Sequence, residues 1–385
     1  MSVITIAPAS EAEVADAVRE AAEKSASFEI VAGGTKRAFG RPVSAQSVLD
    51  VSALSGIVKY EPEELVLSAR AGTPIAQIQA ALAERKQMLG FEPADWGPLF
   101  GVDEARGTIG GVVAANASGA RRVKAGAVRD HVIGCRFVNG KGETIKAGGH
   151  VIKNVTGFDL PKLMCGAFGT LGVLTEITLR VSPLSERVAA FAIDCKAETG
   201  FRLLREAARL PLDASGLSYV SAGALIRIEG THAAVEQKLT ELQKQFAAHE
   251  TKVLDATATK ESFRAISDGS VFSHHATDIW RLCVPQASAY EALTASGVAN
   301  SWFADWAGGL LWLGLPADDE TATRLRAITA RLGGHATVMR ASREARERGS
   351  VFEPETPARA EITRSVKAAF DPKRVLNPGR MFKDL

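Results

Sequence analysis

The sequence predicts an α+β protein with at least two structural units, and three observations predict it. Short strand runs and helical runs mix within one chain, as α+β proteins require. Glycine, at 35 of 385 residues, clusters between Gly101 and Gly172. The texture of the chain changes after Pro183, which is a natural boundary.

The elements follow in order. Ser10 is placed to cap a helix running to Lys24, with Val14, Ala17, Val18 and Ala21 at helical spacing. FEIVAGGTKRAFG reads as a strand ending in a glycine turn, and SVLDVSAL and LVLSARAG as two more short strands. Thr73 to Arg85 reads as a helix capped by Thr73 with Pro74 at its first position. Two strand runs flank Asn139-Gly140-Lys141-Gly142, a hairpin signal. VLTEITLRV alternates as a half-buried strand should. Beyond Pro183, VAAFAID, ALIRIEG and LLWLGL read as strands, and Phe201 to Leu210, Ala233 to His249 and Asp318 to Leu332 as helices. From Ser342 a charged helical run leads into Asp-Pro and Asn-Pro-Gly turns near the C-terminus.

Composition excludes several classes. A net charge of +2 calls for neither nucleic acid nor an anionic surface as partner. Apolar runs stop short of the roughly 20 residues of a bilayer span, so no transmembrane segment is expected. The opening MSVITIAPASEAEV lacks the basic region and apolar core of a signal peptide. Cys135, Cys165, Cys195 and Cys283 are scattered and read as reduced thiols. Together these point to the cytoplasm, and no metal centre is expected. His274-His275 lacks an acidic neighbourhood and reads as a solvated loop.

Several motifs suggest a ligand. In Ala32-Gly33-Gly34-Thr35-Lys36 two glycines after a strand leave backbone N–H groups able to cradle an anion, although a plain turn reads equally well. The segment matches neither G-x-G-x-x-G nor a P-loop. Gly107-Thr108-Ile109-Gly110-Gly111, then Asn116 and Ser118-Gly119, lets the backbone approach a flat ring or a diphosphate. Arg129-Asp130, Lys153 to Leu160 and Gly169-Thr170-Leu171-Gly172-Val173 are each unremarkable alone.

In this order, the blocks Gly33-Gly34, Thr108 to Gly119, Arg129 to Gly134, Lys153 to Leu160 and Gly169 to Val173, with the tail DPKRVLNPGRMF, make the chain resemble the flavoproteins of the vanillyl-alcohol oxidase and p-cresol methylhydroxylase type. The resemblance implies a two-subdomain FAD-binding fold at residues 1–183. It implies an α+β cap at 184–340 and a tail at 341–385 that returns to the FAD domain. FAD would be bound by Ala32, Gly33, Gly34, Thr35, Lys36, Gly107, Thr108, Gly110, Gly111, Asn116, Ser118, Gly119, Arg129, Asp130, Gly172, Val173, Asn377 and Arg380. It would be non-covalent, because the Gly33 turn carries no histidine to tether it.

IWRLCVP and WAGGLLWL bring the chain nearest to the E-type subunits of bacterial glycolate oxidases. That implies 2-hydroxy acid chemistry, with a D-type flavin subunit and an iron–sulfur F-type subunit as partners, and any membrane association through the complex. The histidine and acidic metal motifs of related hydroxy-acid enzymes are missing, and Arg346-Glu347-Arg348-Gly349-Ser350 stands near the place of one of them. Arg281 and Arg340 are candidates to clamp a substrate carboxylate, with a structural ion pair as the plainer reading. No residue reads as the general base. Three functions stay open: a glycolate-oxidising subunit, a structural or electron-relay subunit, or a stand-alone oxidoreductase of another substrate.

Overall fold

The computed structural model describes residues 4–102, 106–149, 158–221, 223–272 and 278–385. The chain forms two compact units. The first comprises Met1–Ala117, Ala127–Leu184 and Pro354–Leu385; the second comprises Ser118–Gly126 and Ser185–Glu353. Residues 118–126 and 341–353, which the sequence reading assigns to the N-terminal domain and to the tail, thus pack in the second unit. The helix Arg343–Arg348 and the turn after it stay there because the Val338 N–H donates to Val351 O (2.9 Å) and the Ala336 N–H to Glu353 Oε2 (2.9 Å).

The first unit begins with a parallel sheet in which Ser47–Asp50 lies between Ile4–Ile6 and Phe28–Val31. Parallel strands need a crossover, and the helix Glu11–Glu23 supplies the one from Ile4–Ile6 to Phe28–Val31, the two strands that flank Ser47–Asp50. Ser10 caps that helix as expected, its Oγ accepting from the Glu13 N–H at 3.2 Å. Val14, Ala15, Val18 and Ala21 recur at helical spacing and bury against Phe28, Leu49 and Val51.

An antiparallel sheet follows, ordered Ile57–Glu61, Val66–Arg70, Val173–Pro183, Val132–Val138, Thr144–Gly148, with Gln87–Leu89 on the far end of Val173–Pro183. The hairpin at Asn139 forms because the Asn139 side chain accepts from the Lys141 and Glu143 N–H groups (2.9 and 3.0 Å) and Gly142 takes φ +75°. Two expectations need correction. Val173–Pro183 is mostly buried on both faces, because it is paired on both sides in mid-sheet; buried Thr178 finds its partner in Ser68 (2.8 Å). The second helix is Ile75–Glu84, with Pro74 at the N-cap position. Thr73 does not cap it, since its hydroxyl donates to Arg70 O (2.7 Å) and accepts from the Gly56 N–H (2.9 Å), pinning the strand end.

The second unit is built on an eight-stranded sheet, antiparallel at every pairing among the described residues. Helices Ala197–Arg209, His232–Gln245, Ala289–Ser296 and Asp319–Leu332 cover one face and bury Phe201, Leu204, Leu239, Leu293 and Leu325 against Trp280, Leu282 and Val338. The other face carries Arg227, Arg281 and Trp312, as period-two alternation requires. Ser118–Gly126 is fastened to this unit by the Arg121–Glu229 ion pair (2.9 Å), by Trp306 Nε1–H donating to Gly119 O (3.2 Å) and by the Ala120 N–H donating to Ser267 Oγ (3.2 Å). No described helix is long and apolar enough to cross a membrane.

Candidate functional site

The first unit contains a cleft, open to solvent, with about 800 Å³ of space counting its mouth. One wall is the turn that ends strand Phe28–Val31: Ala32, Gly33, Gly34, Thr35 and Lys36 all line it. Gly33 is required there. A Cβ would lie 1.7 Å from Arg106 O, a backbone atom that cannot swing aside. Gly34 needs its glycine for another reason, a φ of +75°, and nothing stands within 4 Å of where its Cβ would point. Lys36 Nζ lies 5.7 Å from the centre of the Trp96 ring. Arg37 is committed elsewhere, clamping Glu29 through two bonds (2.9 and 2.5 Å) that raise its pKa.

A second wall is the short helix Ile109–Ala115. Thr108 caps it, its Oγ1 accepting from the Gly111 N–H at 3.3 Å. Gly110 is packed against strand Val66–Arg70's continuation, where a Cβ would meet Ala71 O at 2.7 Å. Gly111 faces the cleft, with only its neighbour Thr108 Oγ1 (3.4 Å) near a Cβ. The floor includes Gly169, Gly172 and Phe168.

The C-terminal tail closes the frame. Asn377 Oδ1 accepts from the Ile30 N–H (2.8 Å) and its Nδ2 donates to Phe168 O (2.7 Å). Arg380 Nη2 donates to Lys36 O (2.9 Å), and Arg380 O accepts from the Arg41 N–H (2.9 Å). The tail is itself anchored by Lys367. Its buried ammonium donates to Thr170 O (2.7 Å), Asp371 Oδ2 (2.7 Å) and Leu376 O (3.0 Å). Burial pushes the Lys367 pKa down, against the pull of Asp371. Asp371 is completed by the Val375 and Leu376 N–H groups. Sequence reasoning passed over Lys367; a lysine four residues before Asp-Pro is an i, i+4 signal that could have found it.

Of the residues expected to hold the cofactor, Ala32, Gly33, Gly34, Thr35, Lys36, Thr108, Gly110, Gly111, Gly172, Asn377 and Arg380 line the cleft together. Gly107, Asn116, Arg129, Asp130 and Val173 are in the same unit but outside its lining. Asp130 instead accepts from the Ala127 N–H (2.8 Å), Asn116 Oδ1 accepts from the Arg129 N–H (3.2 Å), and Val173 is core. Ser118 and Gly119 lie in the second unit. The Lys153 to Gly157 part of the fourth motif, and His274-His275, lie outside the described residues. Ile30, Val51, Ala71, Ala114, Ala115 and Leu174 join the lining without any sequence signal beyond being apolar or small.

In the second unit Arg281 extends from strand Ile279–Cys283 over two indoles, its guanidinium 5.2 Å from the Trp312 ring centre and 5.6 Å from that of Trp306. Arg122 covers Trp306 as well, at 4.5 Å. Burial pushes the Arg281 pKa down, and Arg122 adds to that shift. Arg340 ends the adjacent strand His335–Arg340 and its pKa is also lowered by burial, partly offset by Asp278. Cys283 pairs in register with His335; burial alone would raise the thiol's pKa, but the bond to His335 and the nearby arginines bring it below the usual value.

The first cleft suits a flavin nucleotide. Its walls are main chain and small side chains where a Cβ would intrude, as a flat ring and a diphosphate require. A family model described as an FAD binding domain matches residues 3–148, and one described as the C-terminal domain of FAD linked oxidases matches residues 346–381. The chain is 35% identical over 357 residues to the glycolate oxidase subunit GlcE of Escherichia coli, covering 92% of this chain and 93% of that protein. It is 25% identical over 424 residues to a D-lactate dehydrogenase of Archaeoglobus fulgidus, covering 99% and 92%. Among solved structures it is similar to p-cresol methylhydroxylase with substrate bound (TM-score 0.72, 14% identity, 99% of this chain and 88% of that one). It is also similar to 4-ethylphenol oxidase from Gulosibacter chungangensis (0.71, 15%, 99% and 89%). The fold is therefore the α+β FAD-binding fold of the p-cresol methylhydroxylase type, and this chain is an FAD-binding member of the FAD-linked oxidoreductases, in the family of the glycolate oxidase subunit GlcE.

Proposed function

We propose that this chain is the FAD-carrying E-type subunit of a complex that oxidises glycolate, a 2-hydroxy acid, to glyoxylate and passes the electrons to a partner. The observation that carries this reading is the match to the GlcE subunit across nearly the whole of both chains. The D-lactate dehydrogenase relative and a 79-residue match at 43% identity to the glycolate oxidase subunit GlcD of Bacillus subtilis support the same substrate class. Bound FAD would supply the two-electron acceptor. The protein's own residues would hold it: the Gly33-Gly34 turn and Lys36 at the phosphates, Gly110 and Gly111 along the cofactor, with Asn377 and Arg380 keeping the turn in shape. No covalent tether is proposed, since Thr35 and Lys36 follow the glycines.

Substrate handling rests on the second unit. Arg281 is fixed over Trp306 and Trp312 with its charge partly desolvated, a state that a carboxylate would relieve through a bidentate contact. Arg340 remains the second candidate. Among the described residues no group of three or more His, Cys, Asp or Glu side chains could hold a metal. We assign most turnover to the assembled complex, with a D-type flavin subunit and an iron–sulfur F-type subunit as partners, because the relatives it matches are themselves named as subunits. The test is anaerobic mixing of the FAD-loaded chain with glycolate, alone and with those partners. Slow or absent bleaching alone and fast bleaching with partners is expected. Fast bleaching of the isolated chain overturns the division of labour, and no bleaching in any combination overturns the substrate.

A further inference from the structure

The second unit has another cavity, of about 320 Å³, on the helix-covered face of its sheet. Trp280 and Val338, paired in register, form its apolar floor. Arg281, next to Trp280 on the same strand, projects to the opposite face, so this cavity is separate from the Arg281 cluster. Its walls carry three arginines: Arg326 from helix Asp319–Leu332, and Arg346 and Arg348 from helix Arg343–Arg348.

Arg326 is the telling one. Its Nη2 donates to Ser350 O at 2.6 Å, and its guanidinium lies 5.9 Å from the Trp280 ring centre. Its Nε is buried with no hydrogen-bond partner, a costly state for a charged donor. Burial pushes its pKa down, and Glu353 only partly offsets that. Arg346 donates Nε–H to Ala341 O (3.3 Å), and burial followed by the neighbouring Arg343 lowers its pKa too. Of the nearby acids, Glu347 pairs with Arg343 (2.7 Å) and, with Glu344, also acts on Arg346, while Glu320 lies 4.0 Å from Arg324 and Glu353 accepts from the Ala336 N–H. The carboxylates on the lining are Asp318, which caps its helix by accepting from the Thr321 N–H (2.8 Å), and exposed Asp319 at the rim.

Each guanidinium offers about five donors and no acceptor, and the Arg326 Nε–H is left buried without a partner. A tetrahedral oxyanion offers acceptors in every direction, and arginine forks match it two bonds at a time. The volume is ample for such an ion and several waters, since one water needs only about 10–15 Å³ in this measure. We propose that this cavity binds a phosphate group, held by Arg326, Arg346 and Arg348.

The test is a titration of the FAD-loaded full chain with inorganic phosphate at constant ionic strength, followed by calorimetry and by thermal unfolding. Glycerol 3-phosphate and malonate form parallel arms. A saturable response to phosphate is expected, weakened at least tenfold in R326Q and in R346Q and unchanged in R281K on the opposite face. Tighter binding of glycerol 3-phosphate would identify a phosphate monoester as the ligand, and equal or weaker binding would identify the free ion. In the wild type, phosphate is expected to shield Arg346 and Arg348 from phenylglyoxal, a readout that needs no variant to fold. A non-saturating response equal in all variants, binding of malonate only, or no shielding overturns the site.

Discussion

The two units build their polar sites by opposite means. The cleft of the first unit is made of main chain: Gly33 abuts Arg106 O, Gly110 abuts Ala71 O, and among the side chains that matter Asn377 bonds the backbone of Ile30 and Phe168 and Arg380 the backbone of Lys36. The second unit builds with long side chains from separate strands and helices, stacking Arg281 on Trp306 and Trp312 and Arg227 on Phe263. A cleft of main chain has little freedom where, as at Gly33 and Gly110, an added Cβ collides with backbone. A cluster of arginines over indoles tolerates change in shape but depends on charge and planarity.

The largest effect should come from the anchor of the first site. Lys367→Met leaves buried Asp371 without its counter-charge, and removal of one partner of a buried pair costs about 3–5 kcal/mol. Urea unfolding should show that loss, with flavin released at lower urea than in the wild type. A loss under 1 kcal/mol would mean that the tail is held mainly by its backbone bonds.

Arg281→Lys tests the other side of the comparison. It keeps the charge and loses the planar fork, so glycolate-dependent dye reduction by the assembled complex should fall by about 10- to 100-fold. Flavin content should not change. A matching loss of flavin would show that the two sites do not work as separately as their construction suggests.

Gly33→Ala places a methyl on Arg106 O, and the backbone must shift by more than an ångström. Overpacking of this kind costs about 1–3 kcal/mol, so FAD affinity should drop at least tenfold, read as the flavin-to-protein ratio after gel filtration. Gly34→Ala, which meets nothing but strains φ, should cost about 1–2 kcal/mol of stability and keep most of the flavin. Equal effects would argue that strain, and not close approach, fixes this turn.

The smallest effect concerns pH. Burial would raise the Glu11 pKa, but its bonds from Arg136 (3.1 Å) and Thr175 (2.5 Å) outweigh that and hold it below the usual 4.5. A carboxyl lowered on folding stabilises above its unfolded pKa, and the gain is lost as pH falls through the folded value. Glu11→Gln should therefore flatten the acid limb of the stability curve below about pH 4.5 and leave the alkaline limb unchanged. An unaltered acid limb would show that the Arg136–Thr175 contact contributes nothing by charge.

How legible the molecule was in its sequence follows the same divide. The cap at Ser10, the hairpin at Asn139 and the glycine turn at Gly33-Gly34 were readable because each is dictated by residues within a few positions of one another. Thr73 misled because its hydroxyl serves the strand end and not the helix after it, and Val173–Pro183 misled because its alternation says nothing about which strands flank it. The Thr108 to Gly119 block was read as one motif, yet Ser118 and Gly119 go to the second unit, drawn there by Trp306 and by the Arg121–Glu229 pair.

By itself the sequence determined the elements, the glycine positions and the family blocks, because local sterics and periodicity act between near neighbours in the chain. Only the tertiary structure decided that Lys367 satisfies Thr170, Asp371 and Leu376 at once, that Asn377 bridges Ile30 and Phe168, and that Arg326 meets Arg346 and Arg348 around one cavity. Those groups come together by the packing of elements up to hundreds of residues apart. Their energies come from desolvation and pairing, which exist only after the chain has closed around them.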